Sequence, residues 1–203
     1  DQLAEGVMLV LVGETNKDRE RYLGLDKEYE CEMLLGVGTD TYDALGLVQN
    51  IENKGKNIKI DWQKYVGKFS QEYPPYSSKT VAGKPLFEYA REGKIDEIEI
   101  PIKDVEIYSL EQIGEKEITT AEILDEIKNL TSLVCGDFRQ KEILESWEKS
   151  LQDFSHASFP IISFKISCSS GTYIRSLVDR IGKDLNVPTC VWILKRTGIN
   201  MVF

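Results

Sequence analysis

The sequence predicts an α+β domain built on a mostly antiparallel, mixed sheet that is flanked by helices. Alternating or β-branched apolar stretches at 29–37, 97–110, 159–168 and 190–197 are typical of strands. Residues 172–185 place their apolar side chains along one face of a helix. At 203 residues, the chain suits one large domain or a domain with a smaller appendage.

The N-terminal third is predicted to combine short strands and short helices. The apolar run at 6–13 contains several β-branched residues, so we expect a buried strand there. A short helix is expected at 16–23. A polar loop at 39–46 leads into extended structure at 47–49. Residues 60–69 are expected to form another short helix.

The middle of the chain contains a segment without regular structure. Residues 74–83 begin with two prolines, which excludes a regular element, and a helical turn or two is expected at 86–92. The strand at 97–110 should be interrupted near Pro101, because proline cannot donate a hydrogen bond to a sheet.

A pair of helices is predicted before the C-terminal strands. Thr119 and Glu122 form a capping-box pattern that opens a helix through Leu130. A second helix is expected at 141–151. We interpret the region from about 111 to 155 as a helical insertion within the domain.

The charge of the chain is unevenly distributed. The net charge is −9, and residues 92–126, the acidic span, contain twelve acidic residues and three lysines. The rest of the chain is therefore electrically balanced and can present a basic face elsewhere. No apolar run is long enough to cross a bilayer, and no signal peptide is recognisable, which favours the cytoplasm.

Histidine and cysteine are too sparse for several kinds of site. His156 is the only histidine, and Cys31, Cys135, Cys168 and Cys190 are scattered without a C-x-x-C pair. We therefore expect reduced cysteines in packing roles and no zinc site. A Ser-His-Asp or Cys-His hydrolase is disfavoured for the same reason. Any catalysis should rest on carboxylates, tyrosines and arginines.

Several separated segments resemble, in the same order, the motifs of the TruB-type pseudouridine synthases. They are DQLAEGVM at 1–8, KEYE at 27–30, GTDTYD at 38–43, PPYSSK at 74–79, EYAR at 88–91, CSSGTYIRSL at 168–177 and LKRT at 194–197. The segment at 168–177 nearly repeats the family's C-S-x-G-T-Y-I-R-S-L and is the most specific. The resemblance covers nearly the whole chain except the acidic span and its helices, and it implies the pseudouridine synthase fold.

The chain departs from the family pattern at its start. The proline that usually follows the family's catalytic aspartate is Gln2 here. The family's first strand, its G-H-T-G-x segment and its C-terminal PUA domain are not in this sequence. Because the chain begins at Asp1 without a methionine, we expect a catalytic domain, 1–203, that is incomplete at its N terminus.

The resemblance implies three catalytic residues. Asp1 matches the nucleophilic aspartate. A carboxylate in a pocket that excludes water needs a cation beside it to stay ionised, and the resemblance assigns this role to Arg175. Tyr29 matches the tyrosine that stacks on the target base and is placed for proton transfer.

The resemblance also implies a set of substrate-binding residues. Tyr173 and Leu194 should lie beside the target base, and Asp43 should bind nearby flipped bases or hold its loop. Extrusion of a base requires a grip on the RNA backbone, which we expect from Lys79, Lys84, Arg91, Lys195 and Arg196. The acidic span should point away from RNA, because phosphate repulsion would offset these contacts.

The function implied by the resemblance is an RNA-modifying isomerase that converts uridine to pseudouridine at position 55 in the T-loop of tRNA. The reaction exchanges a C–N bond for a C–C bond without redox change, so no metal or organic cofactor is expected. The expected partner is the T-stem-loop of tRNA, with no membrane, and the protein is expected to act as a monomer. Three alternatives stay open: a guide-dependent relative acting on ribosomal RNA, a non-catalytic RNA-binding or tRNA-folding protein on the same scaffold, and an inert fragment.

Overall fold

Ten strands and five α-helices form the chain in the computed structural model, which describes residues 2–53 and 58–200. The strands are β1 (Ala4–Gly6), β2 (Asp26–Leu35), β3 (Val37–Thr39), β4 (Val48–Ile51), β5 (Gly67–Glu72), β6 (Thr80–Val81), β7 (Lys84–Pro85), β8 (Ile102–Thr119), β9 (Ser158–Cys168) and β10 (Thr189–Asn200). The α-helices are α1 (Arg19–Leu23), α2 (Leu86–Arg91), α3 (Thr120–Leu133), α4 (Gln140–Leu151) and α5 (Ile174–Leu185).

One six-stranded sheet organises the molecule. Its strand order is β1-β10-β2-β9-β8-β5, and every neighbouring pair is antiparallel except β1 with β10, which is parallel. Two small two-stranded sheets, β3-β4 and β6-β7, lie in the connections. The predicted class, a mostly antiparallel mixed sheet flanked by helices, is confirmed.

Two hydrophobic cores cover the two faces of this sheet, because successive side chains of a strand point to opposite faces. Met33 of β2 and Phe164 of β9 pack against α5, through residues such as Leu177. Leu34, the next residue of β2, packs in the other core with Trp147 of α4. The six-stranded sheet is therefore sandwiched between α5 on one side and the α3-α4 pair on the other.

The start of α3 is fixed by the predicted capping box. The Thr119 hydroxyl accepts a hydrogen bond from the Glu122 backbone N–H, and the Glu122 carboxylate accepts one from the Thr119 N–H at 2.8 Å. Two backbone donors that the first turn leaves unpaired are thereby satisfied.

Among the described helices, none is long and apolar enough to cross a membrane.

The predicted buried strand at 6–13 is wrong. Only Ala4–Gly6 pair with β10, and Val7 makes the last backbone contact, to the Arg196 carbonyl at 2.8 Å. Beyond it the chain leaves the sheet, and Met8 and Val10 are 74% and 69% exposed. The apolar composition was therefore misleading, because burial depends on a neighbouring element that composition does not reveal.

Two further predictions need correction. The helix expected at 60–69 is a single 3-10 turn at Trp62–Tyr65, followed directly by β5, whose pairing with β8 overrides the helical pattern. The helical insertion expected from about 111 begins later, because residues 111–119 continue β8 and pair with β9. Whether the α3-α4 pair is an insertion relative to other proteins stays a prediction.

The cysteines divide into two groups. Cys31, Cys168 and Cys190 are buried in the cores as free thiols, which fits the packing role expected of them. Burial raises the pKa of Cys168 to about 11, so this thiol is protonated at neutral pH. Cys135, in contrast, is exposed in the connection between α3 and α4.

Candidate active site

A tightly hydrogen-bonded loop at 39–46 presents Asp43 towards α5. The Asp43 carboxylate accepts hydrogen bonds from the Thr41 hydroxyl at 2.7 Å and from the Leu45 N–H at 3.0 Å. The loop is tied to β10 by backbone hydrogen bonds on both sides of Asp43, each 2.9 Å long, with Val191. A Cβ at Gly46 would collide with the Thr41 hydroxyl, so this close approach requires glycine.

The N terminus of α5 is held by a second set of contacts. Gly171 adopts a positive φ of 81° in the turn after β9, a conformation that favours glycine. The side-chain amide of Gln71 then clamps the backbone of Tyr173, accepting from its N–H at 2.8 Å and donating to its carbonyl at 3.1 Å. This fixes the first turn of α5, from which Arg175 projects.

Arg175 is buried at the meeting point of three chain segments. Its guanidinium donates to the carbonyls of Thr41, at 2.9 Å, and Tyr76, at 3.1 Å. It also lies 3.4 Å from the carboxylate of Asp43. A cation near the positive end of a helix dipole is unfavourable, so these acceptors account for its position. The planar guanidinium can serve several acceptors at once, which an ammonium group cannot do in the same geometry.

The electrostatics of Asp43 reflect opposing effects. Burial raises the pKa of Asp43 above its usual 3.8, because a carboxylate loses hydration in the interior. The Arg175 guanidinium, the Thr41 hydroxyl and the Leu45 N–H lower the pKa, but they do not fully offset burial. The charged form of Asp43 therefore depends on Arg175.

These residues line a cleft of about 510 Å³. Four of the residues predicted from the sequence meet in its described lining: Asp43, Arg91, Tyr173 and Arg175. Gln2 and Leu3 form another part of the wall. The Tyr173 ring packs edge-on against Tyr73, with 5.3 Å between centroids, which braces the aromatic side of the cleft.

Tyr29 and Leu194 lie together on the sheet, on the face covered by α5. In the register of β2 and β10, Tyr29 is opposite Arg196, and Leu194 is opposite Cys31. Tyr29 and Leu194 belong to the same packing cluster, which Leu3 also contacts, although neither is in the described lining of the cleft. Burial raises the pKa of Tyr29, and a hydrogen bond from Arg196 opposes this, so the phenol is protonated at neutral pH.

The cations predicted to grip RNA have different surroundings. The Arg196 Nε donates to the Val7 carbonyl at 2.6 Å, while Lys195 is exposed on β10. Lys79 lies 5.3 Å from the centre of the Tyr73 ring. Lys84 forms an ion pair with Glu92, the first residue of the acidic span.

Arg91 lines the cleft but is also engaged within the protein. Its guanidinium donates to the Asp137 carbonyl at 2.8 Å and lies 5.9 Å from the centre of the Phe138 ring. The contacts that Arg91 and the four other cations make with RNA therefore stay predictions.

Comparison with known proteins identifies the family. A family model described as the N-terminal domain of TruB family pseudouridylate synthases matches residues 1–128. The chain belongs to the TruB family. The family predicted from the sequence motifs is thereby confirmed.

Two curated relatives illustrate the similarity. The tRNA pseudouridine synthase 4 of Saccharomyces cerevisiae is 33% identical, over 91% of this chain and 55% of its own length. The tRNA pseudouridine synthase B of Clostridium kluyveri is 31% identical, over 97% of this chain and 54% of its own length. The chain thus spans about half the length of these relatives.

A solved structure supports the fold. The crystal structure of a Cbf5-Nop10-Gar1 complex aligns with 97% of this chain and 37% of the other chain, with a TM-score of 0.51 and 16% sequence identity. At this level of identity, the likeness concerns the fold alone.

Asp1, the aspartate of the TruB motif, lies outside the described residues. The residues that follow it in the chain, Gln2 and Leu3, line the cleft. Among the described residues, no group of three histidine, cysteine, aspartate or glutamate side chains is arranged to hold a metal ion. What the described cleft provides is a buried guanidinium with hydrogen-bonded polar partners and aromatic walls.

Some cleft residues were not singled out from the sequence. Tyr76 lies inside the TruB motif at 74–79, so the sequence could have indicated that it belongs to the site. The sequence could not indicate that its carbonyl accepts a hydrogen bond from Arg175. The connection between α3 and α4 lies outside the TruB motifs, and no sequence signal indicated that residues 137–140 would reach the cleft.

Proposed function

We propose that this chain carries the catalytic site of an enzyme that converts uridine to pseudouridine in the T-loop of tRNA. The observation that carries the proposal is the buried Arg175, held between Thr41, Asp43 and Tyr76 at the floor of a cleft in a TruB-family chain. The names of the curated relatives support tRNA as the substrate. The proposal includes action as a monomer.

The chemistry is an isomerisation that needs no electron transfer. The bond between N1 of the base and C1′ of the ribose breaks, the base turns, and a bond forms between C5 and C1′. The C5 proton is then lost and N1 gains a proton, so atoms and electrons balance. In this proposal Asp1 supplies the carboxylate that begins the reaction as nucleophile or general base.

Arg175 supports that carboxylate by supplying positive charge in a site with little water. A buried carboxylate without a cation would take up a proton and lose its nucleophilicity. The guanidinium is already fixed by two backbone carbonyls, so little reorganisation is needed when charge develops during the reaction.

Tyr29 is proposed to stack on the turned base. Its ring offers a π-face, and its raised pKa keeps the hydroxyl protonated and able to donate a hydrogen bond. Leu194, on the neighbouring strand, provides an apolar wall for the same base in this proposal.

Replacing Asp1 by asparagine in the full-length protein tests the mechanism. Tritium release from 5-tritiated uridine in a T-loop minihelix should fall below detection, because the amide is not a nucleophile. Filter binding of the same RNA should persist, since affinity comes chiefly from phosphate contacts and stacking. The matched control is Glu5→Gln, the same change at an exposed position of β1, which should keep parental turnover.

Each outcome bears on a different part of the proposal. Near-parental turnover by Asp1→Asn would refute the mechanism. If the unmutated protein binds the minihelix but never releases tritium, a non-catalytic RNA-binding protein is the better interpretation. The assay should also work in excess EDTA, and activity restored only by a divalent ion without refolding the RNA would refute the metal-free reaction.

A further inference from the structure

The connection between α3 and α4, residues 134–139, forms a wall of the cleft. Val134, Asp137, Phe138 and Arg139 line the same cavity as Arg175. We infer that this connection contacts the RNA substrate, with the Phe138 ring stacking on an unpaired base. The inference rests on the proposed function and assigns a specificity role to a segment outside the TruB motifs.

The helices hold this connection in place. Ile127 of α3 and Ile143 and Trp147 of α4 are fully or almost fully buried in the core on their face of the sheet. The Trp147 indole N–H also donates to the Gly46 carbonyl at 3.1 Å, which joins α4 to the loop that carries Asp43. The connection is therefore attached to the active-site loop through rigid packing.

The connection is also ordered by its own hydrogen bonds. The Gln140 side chain donates to the carbonyls of Val134, at 3.1 Å, and Gly136, at 2.7 Å, and it accepts from the Phe138 N–H at 3.0 Å. One amide thus satisfies three backbone groups of the turn. A preformed surface of this kind loses little conformational entropy when it binds a ligand.

Arg139 joins the connection to both loops that hold Arg175. Its guanidinium contacts the Asp40 carboxylate in a bidentate arrangement, at 2.7 and 3.4 Å, and lies 4.5 Å from the centre of the Tyr76 ring. Tyr76 in turn provides a carbonyl acceptor for Arg175. Arg139 is thus a positioning residue that sets the distance between this wall and Arg175.

Phe138 is the feature of the wall that indicates an RNA base. Phe138 is 37% exposed and lines the cleft, although an exposed aromatic side chain gains nothing from water. The Arg91 guanidinium packs at its ring, and Arg91 is fixed by the Asp137 carbonyl. Aromatic rings beside arginines are the surfaces on which unpaired bases stack in RNA-binding proteins. Arg91 and Arg139 are already engaged by the Asp137 carbonyl and the Asp40 carboxylate. The accessible feature of this wall is therefore the aromatic face, and the contact should be with a base.

Substitution of Phe138 in the full-length protein tests the contact. For the T-loop minihelix, Phe138→Ala should raise KM about tenfold, as expected for one lost base-stacking contact, while kcat changes less than about twofold. Phe138→Trp, which keeps an aromatic face, should retain parental KM. Phe138→Leu keeps apolar volume without the π-face and should behave as Phe138→Ala.

The matched control is Leu133→Ala at the end of α3. Leu133 is 70% exposed and is not among the described residues that line the cleft. The Leu133→Ala variant should keep the parental KM for the minihelix. The stacking role would be overturned if Phe138→Ala and Phe138→Leu both kept the parental KM. It would also be overturned if Phe138→Leu kept the parental KM while Phe138→Ala did not.

The experiment separates this inference from the proposed function. If the unmutated protein releases no tritium, the proposed function fails, and filter binding of the same minihelix then tests the contact directly. Weaker binding by Phe138→Ala with parental binding by Leu133→Ala would support the RNA-contacting wall, and equal binding by both variants would refute it.

Discussion

Replacing Arg175 by methionine should destabilise the fold substantially. The change removes a buried guanidinium and leaves the Thr41 and Tyr76 carbonyls without this donor, while Asp43 loses the cation 3.4 Å away. Removing one partner of a buried ion pair costs about 3–5 kcal/mol. Each kcal/mol shifts the melting temperature of a chain of this size by about 2–4 °C. We expect a drop of about 6–20 °C at pH 7.

The size of this effect should depend on pH. The pKa of Asp43 is raised in the folded protein above its usual 3.8. At pH values between 3.8 and the folded pKa, the folded state therefore binds the proton more readily than the unfolded state. Asp43 ionisation therefore costs stability as pH rises through its folded pKa, and that cost is absent near or below pH 3.8. Loss of Arg175 raises the pKa of Asp43 further. The difference in stability between the parental protein and Arg175→Met should then narrow as pH falls from 7 towards 3.8.

Denaturant unfolding followed by circular dichroism measures this effect. The double variant Asp43→Asn with Arg175→Met removes both charges and should lose less stability than the two single variants summed. Arg180→Met, on the next turn of α5, removes a half-buried arginine that stacks on Phe69 and should cost about 1 kcal/mol. Additive costs in the double variant, or a loss from Arg175→Met no larger than that from Arg180→Met, would refute the ion-pair reasoning.

Two further predictions concern the elements around the site. Thr119→Ala removes the N-cap of α3 and should lower the melting temperature by about 2–4 °C, since such caps contribute about 1 kcal/mol; an unchanged melting temperature in calorimetry would contradict the capping role. Changing Glu111, Glu115 and Glu117 to glutamine should alter minihelix affinity less than about twofold, because these residues lie on β8 outside the described cleft lining. A specific loss of RNA binding in filter assays at fixed salt would place this part of the acidic span against the substrate.

The sequence predicted best where local chemistry determines local structure. The capping box at Thr119 depends on residues three positions apart, and the structure confirms it. The motif at 168–177 likewise contains both the glycine that permits the turn and Arg175, so their arrangement follows from neighbouring residues. The strand predicted at 6–13 was wrong because its burial would have required another element to pack against it. The local sequence does not reveal whether such an element is present.

The contacts that shape the cleft could not be read from the sequence, because they join distant positions. Arg139 contacts Asp40 across 99 positions, and Arg175 reaches Tyr76 across the same separation. No periodicity or spacing within either segment indicates such a pairing. Only the family resemblance placed Asp43 and Arg175 in one site, and it said nothing about Arg139.

The engagement of the cleft arginines bears on how an acidic protein can recognise RNA. Arg91, Arg139 and Arg175 all contact acceptors within the protein, so they fix the walls of the cleft and are engaged away from phosphate groups. Phosphate attraction, which usually dominates nucleic-acid affinity, then has to come from other cations such as Lys79 and Lys195. Under the proposed function, recognition inside the cleft depends instead on aromatic surfaces and on hydrogen bonds to the turned base. Because stacking and hydrogen bonding are short-ranged, a net charge of −9 that lies in the acidic span, outside the described cleft lining, does not prevent them.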